Sequence, residues 1–305
     1  MSSNINLEVN IAGMKLKNPV IAASGTFGFG REYSRYFDLS KLGGIAVKGL
    51  TPLPRKGNPP PRIAETPAGI LNSVGLQNPG VHTFIEKEIP FLRKYDTVII
   101  ANASGNTIEE YEGMVETLSN ADVDAIELNL SCPNVNEGCM SFGSSADGVY
   151  NVVSRVKEKA GKPLIVKLTP NVTDITEIAK AAEAAGADSV SLINTILGMA
   201  IDAKTRRPIL GNVTGGLSGP AVKPIALRMV YQVSKVVKIP VIGMGGISNG
   251  TDAIEFLLAG ATAVMVGTAG FANPMAWVET IDGIEDYMLQ NGVNSVTELI
   301  GGLKV

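Results

Sequence analysis

"PVIGMGGISNGTDAIEFLLAGATAVMVGTA", residues 240–269, reads as strand, helix, strand. The first run, "PVIGMGG" (240–246), is apolar up to a pair of glycines. "NGTDAIEFLLAG" (249–260) is a helical stretch that stops at Gly260, and "AVMVGTA" (263–269) is a second apolar run. Short, uninterrupted apolar runs fit parallel strands buried on both faces.

Six further runs of the same kind lie upstream: "PVIAASG" (19–25), "GGIAVKGL" (43–50), "TVIIANAS" (97–104), "AIELNLS" (125–131), "PLIVKLT" (163–169) and "SVSLINT" (189–195). Helical stretches fall between most of them. One begins at Asn106, with Glu109 three residues on as a capping box. Another begins at Asp174, with Glu177, and stops at Gly186. The last has Asn273 as its cap and Pro274 at its first position. Eight strands alternating with helices predict an α/β fold, the (β/α)8 TIM barrel, in preference to an open doubly wound sheet. Two stretches stand outside the repeat. Residues 7–19 read as an N-terminal β-hairpin closing the barrel's bottom. Residues 51–79 form a long Pro-rich insertion after strand 2, and its "ILNSVGL" (70–76) reads as ordered. No linker divides the chain, so residues 1–305 are expected to form a single domain.

Composition removes several function classes. The net charge is −3 and lysine and arginine are dispersed, so no nucleic-acid footprint is present. No run of about 18 apolar residues exists, so no membrane span is expected. The first ten residues carry no signal-peptide pattern. A cytoplasmic chain with reduced thiols is expected. Two cysteines and one histidine are too few for a structural zinc or an iron–sulfur cluster, so no metal site is expected.

In a barrel, the active site lies at the C-terminal ends of the strands. There the sequence places Ser24 and Gly25, Lys48 and Gly49, Asn102, residues 129–134, Lys167, Asn194 and Thr195, Gly245 and Gly246, and Gly267 and Thr268. Alone, a strand-end asparagine is a turn residue and a strand-end lysine is solvated; together they outline one rim. The glycines after strands seven and eight suit a phosphate. No G-x-G-x-x-G follows the first strand. Lys167 has two readings: a Schiff-base lysine, as in barrel aldolases, or an ammonium that holds negative charge on a bound ring. No histidine or evident carboxylate stands at the strand ends to serve the aldolase. Glu127 lies inside a strand, with its direction open. Cys132 is either a small buried hydrophobe or, in a Pro-containing loop at the active face, a nucleophile or proton acceptor. Cys139 reads as structural.

The stretches "ASGTFGFG" (23–30), "VKGLTPLPRKGNPPPR" (47–62), "NSVGLQNPG" (72–80), "NLSCPN" (129–134), "VKLTPN" (166–171), "INT" (193–195) and "GMGGI" (243–247) resemble those of dihydroorotate dehydrogenases over nearly the whole chain. The likeness is to class 1B, the catalytic subunit of the NAD-linked bacterial enzyme. The resemblance implies a barrel that holds flavin mononucleotide (FMN) and oxidises dihydroorotate to orotate in pyrimidine biosynthesis. It implies Cys132 as the general base. For the substrate it implies Lys48, Asn72, Ser73, Val74, Gly75, Leu76, Asn129, Asn134, Asn194 and Thr195. For the flavin it implies Ser24, Lys48, Gly49, Asn102, Asn129, Lys167 and Ile193, with Gly219, Gly245, Gly246, Gly267 and Thr268 around the ribityl phosphate.

Asparagine offers a donor and an acceptor from one short side chain, which suits a planar diamide ring, and lysine supplies charge for its carboxylate. The resemblance further implies a partner subunit with flavin adenine dinucleotide (FAD) and a 2Fe-2S cluster, two copies of each subunit, passing electrons to NAD. Cys139 stands where the class has glycine. The alternatives are a class 1A-like homodimer that uses fumarate, another flavin barrel acting on dihydropyrimidine or dihydrouridine, a flavin-free aldolase using Lys167, and a non-catalytic barrel subunit.

Overall fold

The computed structural model describes residues 5–130 and 142–305. Eight parallel strands close on themselves: β1 (Val20–Ala22), β2 (Gly44–Ala46), β3 (Val98–Ala103), β4 (Ala125–Asn129), β5 (Leu164–Lys167), β6 (Ser189–Leu192), β7 (Val241–Met244) and β8 (Ala263–Val266). They follow one another in chain order. Closure is made by β8 on β1, with Val264, Met265 and Val266 opposite Val20, Ile21 and Ala22, which excludes an open sheet. Each of the eight apolar runs contains one of these strands. The strands are shorter than the runs, because the last residues of each run leave the ladder and turn onto the rim.

Six longer helices surround the barrel: α1 (Ile108–Ser119), α2 (Ala146–Lys157), α3 (Ile175–Ala184), α4 (Lys223–Ser234), α5 (Gly250–Leu258) and α6 (Ala276–Asn291). Two helix starts differ from the sequence reading. α1 is capped by Thr107, whose hydroxyl accepts from the Glu110 N–H at 3.2 Å, while the Asn106 N–H donates to the Glu110 carboxylate at 2.7 Å. The expected Asn106–Glu109 box is therefore one residue early, since Thr107 is still extended. α6 starts after Met275, not at Pro274. The Asn273 side chain accepts from the Met275 N–H at 2.9 Å, closing a turn that has to finish before the helix can begin. Asp174 caps α3 as expected, accepting from the Thr176 N–H at 2.8 Å.

The hairpin pairs Val9–Ile11 with Met14–Leu16. Ala12 and Gly13 both have positive φ, as a tight two-residue turn requires. Val9, Ile11, Met14 and Leu16 join the main core, while Asn10 and Lys15 face solvent. The insertion after β2 supplies strands Ile63–Thr66 and Gly69–Asn72. They belong to a four-stranded antiparallel sheet with Thr214–Ser218 and Ile196–Met199, from a second excursion after β6. A small core of Ala64, Leu71 and Leu210 lies under this sheet.

Trp277 anchors the loops after β1 and β8. Its ring is fully buried against Phe27 and Tyr33, with centroids 4.8 and 4.7 Å away, and its indole N–H donates to the Val266 carbonyl at 2.9 Å. A Cβ at Gly270 would come within 2.0 Å of this ring, so glycine is required there.

The Asn249 side chain accepts from the Asp252 N–H at 3.0 Å and caps α5 beneath the glycine loop that follows β7. Asn249→Ala should cost about 1 kcal/mol of stability. Urea unfolding followed by the emission of Trp277, the sole tryptophan, should show a lower midpoint with an unchanged slope.

Candidate active site

A cavity of about 650 Å3 opens at the C-terminal end of the barrel, a size usual for small-molecule sites. All eight strands contribute to its wall: Ser24 after β1, Lys48 and Gly49 after β2, Asn102 in β3, Asn129 in β4 and Lys167 in β5. Ile193, Asn194 and Thr195 follow β6, Gly245 and Gly246 follow β7, and Gly267 and Thr268 follow β8. The first excursion adds Asn72, Ser73, Val74, Gly75 and Leu76, and the second adds Gly219. Every site residue expected from the sequence is thus brought to one cavity, except Cys132 and Asn134. Those two, and Cys139, lie outside the described residues.

The floor is polar because of strand periodicity. Residues two apart on a strand share a face, so Glu127 and Asn129 of β4 both point into the barrel. Glu127 is completely buried. Its Oε2 accepts from Asn102 Nδ2 and its Oε1 accepts from the Ser191 hydroxyl at 2.7 Å. The Lys167 ammonium is 3.8 Å from Oε2 and donates to the Ser24 hydroxyl at 3.2 Å. Lys167 is only 4% exposed, which removes the solvated reading for it and calls for a counter-charge.

Three amides climb from this floor. Asn129 Nδ2 donates to Asn102 Oδ1 at 3.5 Å, and Asn194 Nδ2 donates to Asn129 Oδ1 at 3.4 Å. Asn194 Oδ1 accepts from the Thr195 N–H at 2.9 Å. The Tyr111 hydroxyl donates to the Asn129 carbonyl at 2.8 Å and fixes the end of β4.

The opposite end of the cavity is built of glycine. Gly219, Gly245 and Gly246 have φ of +100°, +123° and +77°, values that side-chain-bearing residues rarely adopt. A Cβ on Gly246 would sit 2.8 Å from the Lys223 backbone nitrogen. Such loops leave main-chain N–H groups uncovered for an anion. The Lys223 ammonium turns instead to Asp252 at 2.7 Å and Glu255 at 2.9 Å. Its hydrogen bonds to Asp252 and then Glu255 raise its pKa above the usual lysine value. Thr268 donates its hydroxyl to Ser218 at 2.9 Å, joining the β8 loop to the second excursion.

Several wall residues escaped the sequence reading. Thr26, Thr169, Asn171 and the strand Thr214–Ser218 all line the cavity. Asn171 accepts from the Leu197 N–H at 2.9 Å and donates to the Thr195 carbonyl at 3.0 Å, so it holds the start of the second excursion against β6. The motif "VKLTPN" contained Asn171 and Thr169, and their place just beyond β5 was the available signal. The Ser73 hydroxyl is buried in the wall with no hydrogen-bond partner among the described residues.

A sequence profile of the family described as dihydroorotate dehydrogenase matches residues 6–288. Two relatives, from Thermoanaerobacter pseudethanolicus and Alkaliphilus metalliredigens, are 60% and 61% identical over 301 residues, spanning 99% of this chain and 100% of each relative. Both are named dihydroorotate dehydrogenase B (NAD(+)), catalytic subunit. Among solved structures, DHODH from Eimeria tenella in complex with ferulenol superposes with a TM-score of 0.81. That match has 24% identity over 99% of this chain and 89% of that one, and it speaks to the fold.

The positive φ of Gly246 and the crowding around it make one substitution informative. Gly246→Ala should destabilise the protein by at least about 1 kcal/mol. Thermal unfolding should show the loss as a lowered midpoint.

Proposed function

This chain belongs to the dihydroorotate dehydrogenase family, and from that premise we propose that it oxidises dihydroorotate to orotate in pyrimidine biosynthesis, with FMN as its bound oxidant. The observation that carries the reading is the cavity rim, where amides from β3, β4 and β6 meet Lys48 and Lys167 opposite a glycine-built anion site. Those donors fit FMN. Ile193 and Met244 offer apolar wall for a flat ring, and Lys167 and Asn102 offer polar contact at its edge. Gly219, Gly245, Gly246, Gly267 and Thr268 would hold the phosphate. Ser24, Gly49 and Ile193 would border the ring.

Lys48, Asn72, Asn129, Asn194 and Thr195 would bind the substrate's diamide edge and carboxylate, with Asn134 joining them and residues 73–76 closing the wall. A site that pairs these groups rejects analogues lacking them. Cys132, three positions beyond the end of β4 in the sequence, would take the proton from C5 of dihydroorotate. When bound, FMN would supply a hydride acceptor for the hydrogen at C6, so that loss of one proton and one hydride would leave the C5–C6 double bond. Lys167 would hold the negative charge that two-electron reduction brings to the ring edge. Orienting both reactants in one cavity is the protein's main contribution.

The relatives' designation as catalytic subunits of an NAD(+) enzyme supports a partner subunit. We infer that this partner carries FAD and a 2Fe-2S cluster, that two of each subunit assemble, and that NAD is the final acceptor. Among the described residues no helix is long and apolar enough to cross a membrane.

Two outcomes test the assignment. The purified chain, or its complex, should be yellow and should bleach with anaerobic dihydroorotate; a protein that takes up no FMN would overturn the reading. Cys132→Ala should keep the flavin and slow single-turnover bleaching by about 100- to 10,000-fold, as loss of a general base does. An unchanged bleaching rate would remove Cys132 from that role.

A further inference from the structure

Glu127 is the group on the barrel axis that the reaction above does not use. The interior of such a barrel is normally filled by layers of branched apolar side chains. A carboxylate there loses its hydration, and that loss is offset only by close partners. Glu127 has them from three strands: Asn102 on β3, Lys167 on β5 and Ser191 on β6.

We propose that Glu127 is a positioning residue that sets both the direction of the amide ladder and the field that Lys167 exerts on the cavity. An ionised carboxylate only accepts. Asn102 must therefore turn Nδ2 down to Glu127 and Oδ1 up to Asn129. Asn129 then gives Nδ2 to Asn102 and keeps Oδ1 for Asn194. Asn194 in turn gives Nδ2 and keeps Oδ1 for the Thr195 N–H. One charge thus decides which end of each amide is donor and which is acceptor along the substrate wall. The same charge stands 3.8 Å from the Lys167 ammonium and offsets much of its field. Reduced flavin carries added negative charge at the edge that Lys167 is proposed to meet. Glu127 would keep that reduced form from being held too firmly to pass its electrons onward. The proposal rests on the assignment of FMN to this cavity.

The test is the flavin midpoint potential, measured spectroelectrochemically on FMN-loaded protein, with orotate affinity read from the flavin difference spectrum. Glu127→Gln should favour reduced over oxidised flavin by about tenfold, a rise of roughly 30 mV for a two-electron couple. It should also weaken orotate binding about tenfold, because glutamine can present either a donor or an acceptor to Asn102. Glu127→Asp keeps the charge and should return the potential toward that of the parent protein. Lys167→Met should move the potential the opposite way.

If Glu127→Gln fails to fold, the double variant with Lys167→Met removes both buried charges. Its potential should lie above that of Lys167→Met alone. If the pair were purely structural, Glu127→Gln would lower stability and leave the potential where it was. An unchanged potential in Glu127→Gln, alongside a lowered one in Lys167→Met, overturns the role of Glu127 and leaves the flavin assignment standing. Failure of the parent protein to bind FMN overturns both.

Discussion

A closed barrel of eight strands has no free edge, and its inward side chains must fill its axis. In this chain the inward positions nearest the C-terminal end are polar: Asn102, Glu127, Asn129, Lys167 and Ser191 replace the apolar layer expected there. The buried ion pair of Glu127 with Lys167 is what makes such a layer tolerable, because either charge alone in that place would destabilise the barrel by several kcal/mol. The cavity, its amides and its lysine are built on top of this pair.

Around that floor, the apolar framework does the holding. Every residue of the eight barrel strands is buried except Val98 and Asn129, which are half-buried, so the strands are packed on both faces. Trp277 illustrates the connection between packing and site. Its indole binds the carbonyl of Val266, the residue before Gly267 and Thr268, and its ring abuts Phe27, three residues after Ser24. Packing on the outside of the barrel therefore sets the backbone of two cavity loops.

The barrel was legible in the sequence because doubly buried parallel strands are written as uninterrupted apolar runs, as in residues 240–246 and 263–269. The expected caps Asn106 and Asn273 slipped by one and two residues, to Thr107 and Met275, since a cap depends on backbone angles that composition does not reveal. The second excursion went unread. Its strands Ile196–Met199 and Thr214–Ser218 are half exposed and rich in glycine, and so lack either periodic signature. Rim residues such as Lys167 and Asn194 were legible because the fold dictates which strand end is the working one. The direction of Glu127 was not read, although its two-residue spacing from Asn129 carried the information. Thr214–Ser218 could not be placed at the cavity without knowing that it pairs with Gly69–Asn72.

That pairing has a consequence for how the protein is made. Asn72 donates to the Gly216 carbonyl across a separation of 144 residues, within the sheet that backs the wall at residues 72–76. On a ribosome adding about 5–20 residues per second, the first excursion waits roughly 7–30 s for its partner strand to be synthesised. Until then the hairpin Ile63–Asn72 presents an unpaired edge, and unpaired edges invite wrong partners. That waiting edge is Gly69–Asn72; the three prolines at 59–61 and the exposed Glu65 guard the other edge, Ile63–Thr66, which stays unpaired in the finished sheet.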